Sequence, residues 1–266
     1  MIEPVISTKR ASIFHSTFEA VAPQMRAGSA TLAILDGPYW CSKAGWDKFP
    51  SWDAFRDWYR PHLEQVSRIL APSANLYVWG TDDSASALRE LVGSMGWTRR
   101  TRIIWDKGTP ASALGWASVS DHLDATEVCD RYTRGVPVFN LTTEAKTNIW
   151  RLNQHQLKVE RLLSEQTRPN RVPQRAPERW SIHPCQKPLA FYDRLIRSSS
   201  RPGDVVLEPF GGTLRAAVAC QRLPATEARH AICVEPHRPY IEAVRPSLEF
   251  APVTKGRQPS LFRGEA

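Results

Sequence analysis

Thr31-Leu-Ala-Ile-Leu-Asp-Gly-Pro-Tyr-Trp40 is the stretch on which the reading of the chain turns. Its first five residues are a short, largely apolar run, the mark of a buried strand, and Asp36-Gly37-Pro38 stops it with a turn. Tyr39 and Trp40 follow at the strand's carboxyl end, the edge where open α/β sheets bind ligands. A carboxylate, a turn with backbone carbonyls and two aromatic rings suit the grip of a flat base bearing an exocyclic amino group. Asp36 and the Gly37 carbonyl can accept hydrogen bonds from an NH2, and Tyr39 offers a stacking face. An ordinary Asp-Gly turn fits the same residues, so the choice rests on the rest of the chain.

Working outward, a helix is expected over about Phe14 to Met25, ahead of this strand. Behind it, Phe55, Trp58, Tyr59, Leu63, Val66, Ile69 and Leu70 recur at helical spacing, with Pro61 predicted to kink or split the helix. Further strands are predicted at Asn75 to Trp79, Thr101 to Trp105 and Thr126 to Tyr132, and Asp82 or Asp83 is expected to cap the intervening helix. Pro188 opens another helix, with Leu189, Tyr192, Leu195 and Ile196 as its apolar face. Then come strand 205–207, helix 213–223, strand 231–234 and helix 239–248. This alternation predicts an α/β fold with a single doubly wound, mostly parallel sheet. The expected domain is 1–250, with 136–182 an inserted basic loop and 251–266 a flexible tail.

The composition agrees with one such domain. The chain has 266 residues, 42% of them hydrophobic, which is enough for a sizeable core and excludes a wholly disordered chain. A net charge of +8 with 10 Trp points to a polyanion with stackable bases, although a basic enzyme with a small acidic substrate has the same balance. Residues 146–180 hold eight Lys or Arg against three Glu; they read as a loop on the nucleic-acid side, or else as a solvated linker. Arg168, Arg171 and Arg175 are its candidate phosphate contacts, with Trp40 and Lys43 nearer the strand end. The five cysteines form no CxxC pair, so a reduced cytoplasmic chain is expected, with neither a disulfide scaffold nor a zinc site. The amino terminus shows no signal pattern and no apolar run approaches 18 residues, so no membrane partner is expected.

The second half supplies a strand, an acidic residue, paired glycines, a helix, a second strand and a second acidic residue. That is a nucleoside-binding half-fold: Glu208-Pro-Phe-Gly-Gly212 lets a ligand approach the backbone, and Glu235 suits the hydroxyls of a ribose. Neither GxGxxG nor GxxxxGK[ST] occurs, so a nucleoside without a pyrophosphate is favoured.

Asp36-Gly-Pro-Tyr39, His183-Pro-Cys-Gln-Lys-Pro188 and Glu208-Pro-Phe-Gly-Gly212 together resemble, in order and spacing, the β-class amino methyltransferases of DNA. The likeness covers roughly Gly28 to Leu248. The family pattern is D/S/N-P-P-Y/F/W, then H-P-x-x-K-P, then D/E-P-F-x-G-S-G. It implies a class I methyltransferase fold in circularly permuted order, catalytic half first and cofactor half second, with S-adenosylmethionine as cofactor and DNA as partner. It also implies methyl transfer to the exocyclic N6 of a flipped-out adenine, since Asp-first motifs favour adenine. Cytosine-N4 is the alternative, followed by a catalytically degenerate DNA-binding relative. By the same resemblance, Asp36, Gly37, Pro38 and Tyr39 are the catalytic set. Glu208, Pro209, Phe210, Gly211, Gly212 and Thr213 would cradle the cofactor, Glu235 would take its ribose, and His183, Gln186 and Lys187 would lie at its methionine end. Cys185 falls at a variable position of the pattern, and the chain departs from it in two further places. Gly37 replaces the first Pro, and Gly212-Thr-Leu-Arg215 stands where the family has G-S-G-T.

Near the end, Gln258-Pro-Ser-Leu-Phe262 resembles the Q-x-x-L-F peptide by which bacterial DNA-handling proteins dock onto the sliding clamp. Gln258 would be its polar anchor, and Leu261 and Phe262 would fill a hydrophobic pocket; the alternative is that they fold back on the protein's own surface. A homodimer is the other partner entertained.

Overall fold

The computed structural model describes residues 2–41, 45–108, 125–143, 146–152 and 185–249. In chain order the elements are β1 (Ile6–Ser7), β2 (Ala11–Phe14), α1 (Phe18–Val21), β3 (Ala30–Leu35), α2 (Trp52–Ile69), β4 (Leu70–Gly80), α3 (Asp82–Ser94) and β5 (Thr98–Asp106). They continue with β6 (Thr126–Arg134), β7 (Ile149–Arg151), α4 (Leu189–Ser199), β8 (Val205–Glu208), α5 (Arg215–Arg222), β9 (His230–Val234) and α6 (Arg238–Glu249). The strands make one sheet in the order β1-β2-β9-β8-β3-β4-β6-β5-β7. From β2 to β4 all pairs are parallel, whereas β6 runs antiparallel to both β4 and β5.

Strand alternation divides the core into two layers. Leu32, Ile34, Tyr77 and Trp79 face α4, α5 and α6, while Ala33, Leu35, Leu76 and Val78 face α1, α2 and α3. Because both faces are covered, these strands read as apolar runs. From β3 the chain crosses through α2 to β4; from β8 it crosses through α5 to β9, on the other side. The carboxyl ends of β3 and β8 therefore flank a topological switch point, where such sheets leave a ligand crevice.

Four local expectations change. The helix predicted over Phe14 to Met25 is shorter: Phe14 ends β2, and only Phe18–Val21 is α-helical, followed by a 3-10 turn at Ala22–Gln24. Pro61 does not split α2, which runs unbroken from Trp52 to Ile69. Pro61 and Asp57 both lie on the exposed face, so the carbonyl left without its N–H donor faces water. Thr81, not Asp82 or Asp83, caps α3, its side chain accepting from the Ser84 amide at 3.2 Å. The stretch expected as a wholly looped insertion contains β7, which pairs with β5 at the sheet edge.

Candidate active site

A cavity of about 460 Å³ opens at the switch point. Asp36 to Tyr39 line it from the end of β3, Phe210 to Thr213 from the loop after β8, and Glu235 to His237 from the end of β9. Gln186 and Lys187 enter from the turn before α4, and Trp58 from α2. Five segments that are distant in sequence thus meet, three of them because parallel strands place their carboxyl ends on one edge.

Asp36 sits at the centre of a buried charge chain. Tyr39 Oη donates to Asp36 Oδ1 at 2.5 Å, and Lys187 Nζ lies 2.9 Å from the same oxygen. Lys187 Nζ is also 3.0 Å from Glu127 Oε2, while Lys107 Nζ is 2.6 Å from Glu127 Oε1. Burial raises the Asp36 carboxyl above its usual range, against the pull of the Lys187 ammonium and the Tyr39 hydroxyl. Burial also works against the charge of Lys187, but the two carboxylates hold its ammonium above the ordinary lysine range. Glu127 is likewise penalised by burial, yet Lys187 and Lys107 bring it below the ordinary range. The Lys187 ammonium also lies 4.8 Å from the centroid of the Tyr39 ring. The sequence put Lys187 at the cofactor's methionine end; its ammonium stands instead against Asp36.

The turn itself is held from two sides. A Cβ on Gly37 would come within 2.5 Å of Tyr59 Oη and 2.9 Å of Phe210 Cδ2. Tyr59 in turn donates to the Pro38 carbonyl at 2.8 Å. The glycine that departs from the family's proline therefore answers to a tyrosine packed over it. On the other side, Asp47 is 1% exposed and accepts from three successive amides: Tyr39 at 2.8 Å, Trp40 at 2.6 Å and Cys41 at 3.0 Å. This nest brings Trp40 to a left-handed φ of 57°, and its ring packs edge-on against Trp52 at 4.5 Å. Trp40, expected to face DNA, lies outside the cavity lining, whereas Trp46, in the stretch 41–51 expected as a loop over the crevice, is 47% exposed within it.

In the second half, Gly212 N donates to Glu235 Oε2 at 2.6 Å, and His237 N to Glu235 Oε1 at 2.7 Å. Burial pushes the Glu235 carboxyl up to about 6, the two amides holding it back. Gly211 is also tight, though less so than Gly37: its Cβ would meet Leu214 Cδ2 at 2.8 Å and the Val234 carbonyl at 3.0 Å. Leu214 stands where the family has glycine and still takes the left-handed φ, 53°, that glycine would adopt freely. Its side chain is fully buried, which offsets a strain of about 1–2 kcal/mol. Glu208 and Pro209 do not line the cavity. Glu208 Oε2 accepts from the Ala216 amide at 3.1 Å and from Cys233 Sγ at 3.0 Å, so it pins the start of α5 beneath the glycine turn. Burial pushes it up to about 8.

The glycine turn, Glu235 and the cavity leading to Asp36 fit a nucleoside cofactor lying across the strand ends with its reactive end toward Asp36. Lys107 and Glu127 fall in Trp105–Gly108 and Thr126–Gly135, stretches that resemble the family's strands after the catalytic one, and Asp47 in a loop expected over the crevice, but none was singled out as a site residue because no spacing links them to Asp36. His237 and Tyr240, which also line the cavity, follow Glu235 closely, and that proximity was a usable signal. Lys43, His183, Arg168, Arg171, Arg175, Gln258, Leu261 and Phe262 lie outside the described residues.

A mostly parallel sheet with a glycine cradle after one central strand and carboxylates after its neighbours defines a class I methyltransferase. Residues 30–245 match the N6/N4 methyltransferase family, described as DNA methylase, and the chain belongs to that family, whose cofactor is S-adenosylmethionine. The resemblance read from the three motifs is thereby borne out. Among relatives, the type II methyltransferase M2.DpnII of Streptococcus pneumoniae is 21% identical over 94% of this chain and 93% of its own length. The type II methyltransferase M.HinfI of Haemophilus influenzae is 26% identical over 76% of this chain, which spans about half (54%) of that relative. The PvuII DNA methyltransferase (cytosine-N4-specific) shares the fold with a TM-score of 0.74 and 15% identity, over 95% of this chain and 91% of that one. M1.HpyAVI, solved as a complex with SAM, gives a TM-score of 0.60 and 17% identity, over 90% and 99%. No helix among the described residues is long and apolar enough to cross a membrane.

Proposed function

We propose that the chain methylates the exocyclic N6 of adenine in DNA, with Asp36 as the acceptor that orients the amine. The observation that carries this reading is the placement of Asp36 Oδ1 under two donors, Tyr39 and Lys187, on the wall of the cavity that also holds the glycine cradle. With Oδ1 so occupied, Oδ2 is the oxygen to accept from the substrate amine. The Gly37 carbonyl takes the amine's second hydrogen, and the Tyr39 ring meets the base.

An aromatic amine is a poor nucleophile because its lone pair is delocalised into the ring. Two acceptors favour a more tetrahedral nitrogen and return that pair to it. When bound, S-adenosylmethionine supplies a sulfonium methyl, and the C–S bonding pair stays on sulfur as the amine's lone pair forms the new N–C bond. Orientation and fixed charges then carry the rate, with no covalent enzyme intermediate. Glu235 would accept from the ribose hydroxyls, Phe210 to Thr213 would cradle the nucleoside, and Gln186 would lie at the methionine end. The target base leaves the helix to reach Asp36.

The preference for adenine rests on the Asp-first motif, and cytosine-N4 is the competing outcome. Incubation with S-adenosylmethionine and genomic DNA, digestion to nucleosides and mass spectrometry distinguish them. N6-methyladenosine species support the reading, and N4-methylcytosine species replace it. The tail peptide Gln258 to Phe262 is proposed to tether the enzyme to a sliding clamp. Equal binding of peptide 254–266 and its Leu261→Ala, Phe262→Ala control to a clamp would remove that proposal.

A further inference from the structure

We propose that Glu127, acting through Lys187, is a positioning residue for Asp36: it shares the buried ammonium between two carboxylates, and so keeps Asp36 a strong acceptor with one oxygen open to the amine. The inference rests on the reading of Asp36 as that amine's acceptor.

Lys187 is 1% exposed, and its Nζ bridges Asp36 Oδ1 at 2.9 Å and Glu127 Oε2 at 3.0 Å. Lys107, on the far side, holds the other Glu127 oxygen at 2.6 Å. The chain Asp36–Lys187–Glu127–Lys107 thus alternates in sign and sums to zero when Asp36 is ionised, the state that costs least to bury. An ammonium committed to Asp36 alone would bind it as a tight pair and blunt its power to accept. Glu127 takes part of that charge and fixes Nζ at Oδ1.

The same arrangement disposes of the proton. After transfer, the substrate nitrogen carries one proton too many; it passes to Asp36 Oδ2. The buried chain then holds one uncompensated positive charge, with Lys187 2.9 Å from the protonated carboxyl. That repulsion sends the proton on to water and restores the carboxylate.

Other titratable groups face Asp36 from the elements around it: Tyr39 in its own turn, Tyr59 on α2, Cys129 on β6, Cys185 before α4, Tyr192 on α4 and Glu208 on β8. Burial raises each of the phenols and thiols, so they stay neutral through the neutral range. Glu208, raised to about 8, is the one that titrates there.

The test is the titration of Asp36, read from its 13C carboxyl resonance, which is assigned by its loss in Asp36→Asn and so kept apart from that of Glu208. Glu127→Gln removes a negative charge, so the midpoint should fall by about one pH unit. Lys187→Met should raise it by at least as much. The acid limb of the single-turnover methylation rate should move in the same two directions, because Asp36 works ionised. Should Lys187→Met fail to fold, Lys107→Met serves as the upward arm, since it leaves Glu127 to draw more on Lys187. Midpoints that stay put, or that move the same way in both arms, overturn the proposal. Absence of methylation by the wild type would instead count against the proposed function, and the carboxyl titration still decides this one.

Discussion

Asp47→Ala tests how the turn after β3 is held. The wild-type carboxylate accepts from the amides of Tyr39, Trp40 and Cys41, all within 3.0 Å, and is almost wholly buried. A hydrogen bond to a charged group contributes about 1.5–3 kcal/mol. The three bonds are not additive, because the loop can relax and rehydrate, and Trp40 then also escapes its left-handed φ of 57°. Counting two bonds at the lower bound gives about 3 kcal/mol, on the order of 100-fold in local opening. Hydrogen exchange read by mass spectrometry on a peptide covering residues 37–48 should show these amides exchanging faster by that factor. The methylation rate at saturating substrates should fall with it, because Tyr39 loses its fixed place beside Asp36. Global melting should shift much less than the local exchange. Unchanged protection at residues 39–41 together with full activity would refute the claim that Asp47 organises the turn.

Three further outcomes are expected. Glu235→Ala should weaken S-adenosylmethionine binding by about 1–3 kcal/mol in calorimetry, and wild-type affinity should fall as pH drops through about 6, where the carboxylate takes up its proton. Glu208 is raised to about 8 from a reference value of 4.5, so the folded state binds this proton more tightly than the unfolded one. The stability it contributes is complete below about 4.5 and is lost as pH rises through about 8; denaturant titrations of Glu208→Gln, which keeps an acceptor for the Ala216 amide, should show that slope flattened. Neutralising Arg168, Arg171 and Arg175 should lower DNA affinity and reduce its salt dependence, and an unchanged salt slope would make the segment a linker.

What could be read from the sequence follows from burial. Strands covered on both faces, such as 31–35, 205–207 and 231–234, are apolar runs ended by acidic residues, and the structure places those ends on one edge. β2 has only four residues, with a serine among them, and β7 only three; neither is long enough to show a period. Pro61 misled because a sequence does not say which helix face meets water. The motif residues Asp36, Gly37, Tyr39, Gly211, Gly212 and Glu235 all line the cavity, since motifs are local in sequence. Glu127, Lys107 and Asp47 reach the site only through sheet pairing and a loop closure, which no spacing records. Glu208 shows the converse: its motif was legible, but its side chain turns beneath the cradle to the start of α5.

The central claim is that Asp36 orients the DNA amine for methyl transfer while the cofactor is held elsewhere in the cavity. Asp36→Ala measures it most directly, through methyl transfer to DNA and calorimetric binding of S-adenosylmethionine on the same preparation. The account predicts that methyl transfer is abolished while cofactor affinity stays close to that of the wild type. Turnover like that of the wild type, or loss of cofactor binding in step with activity, would contradict it.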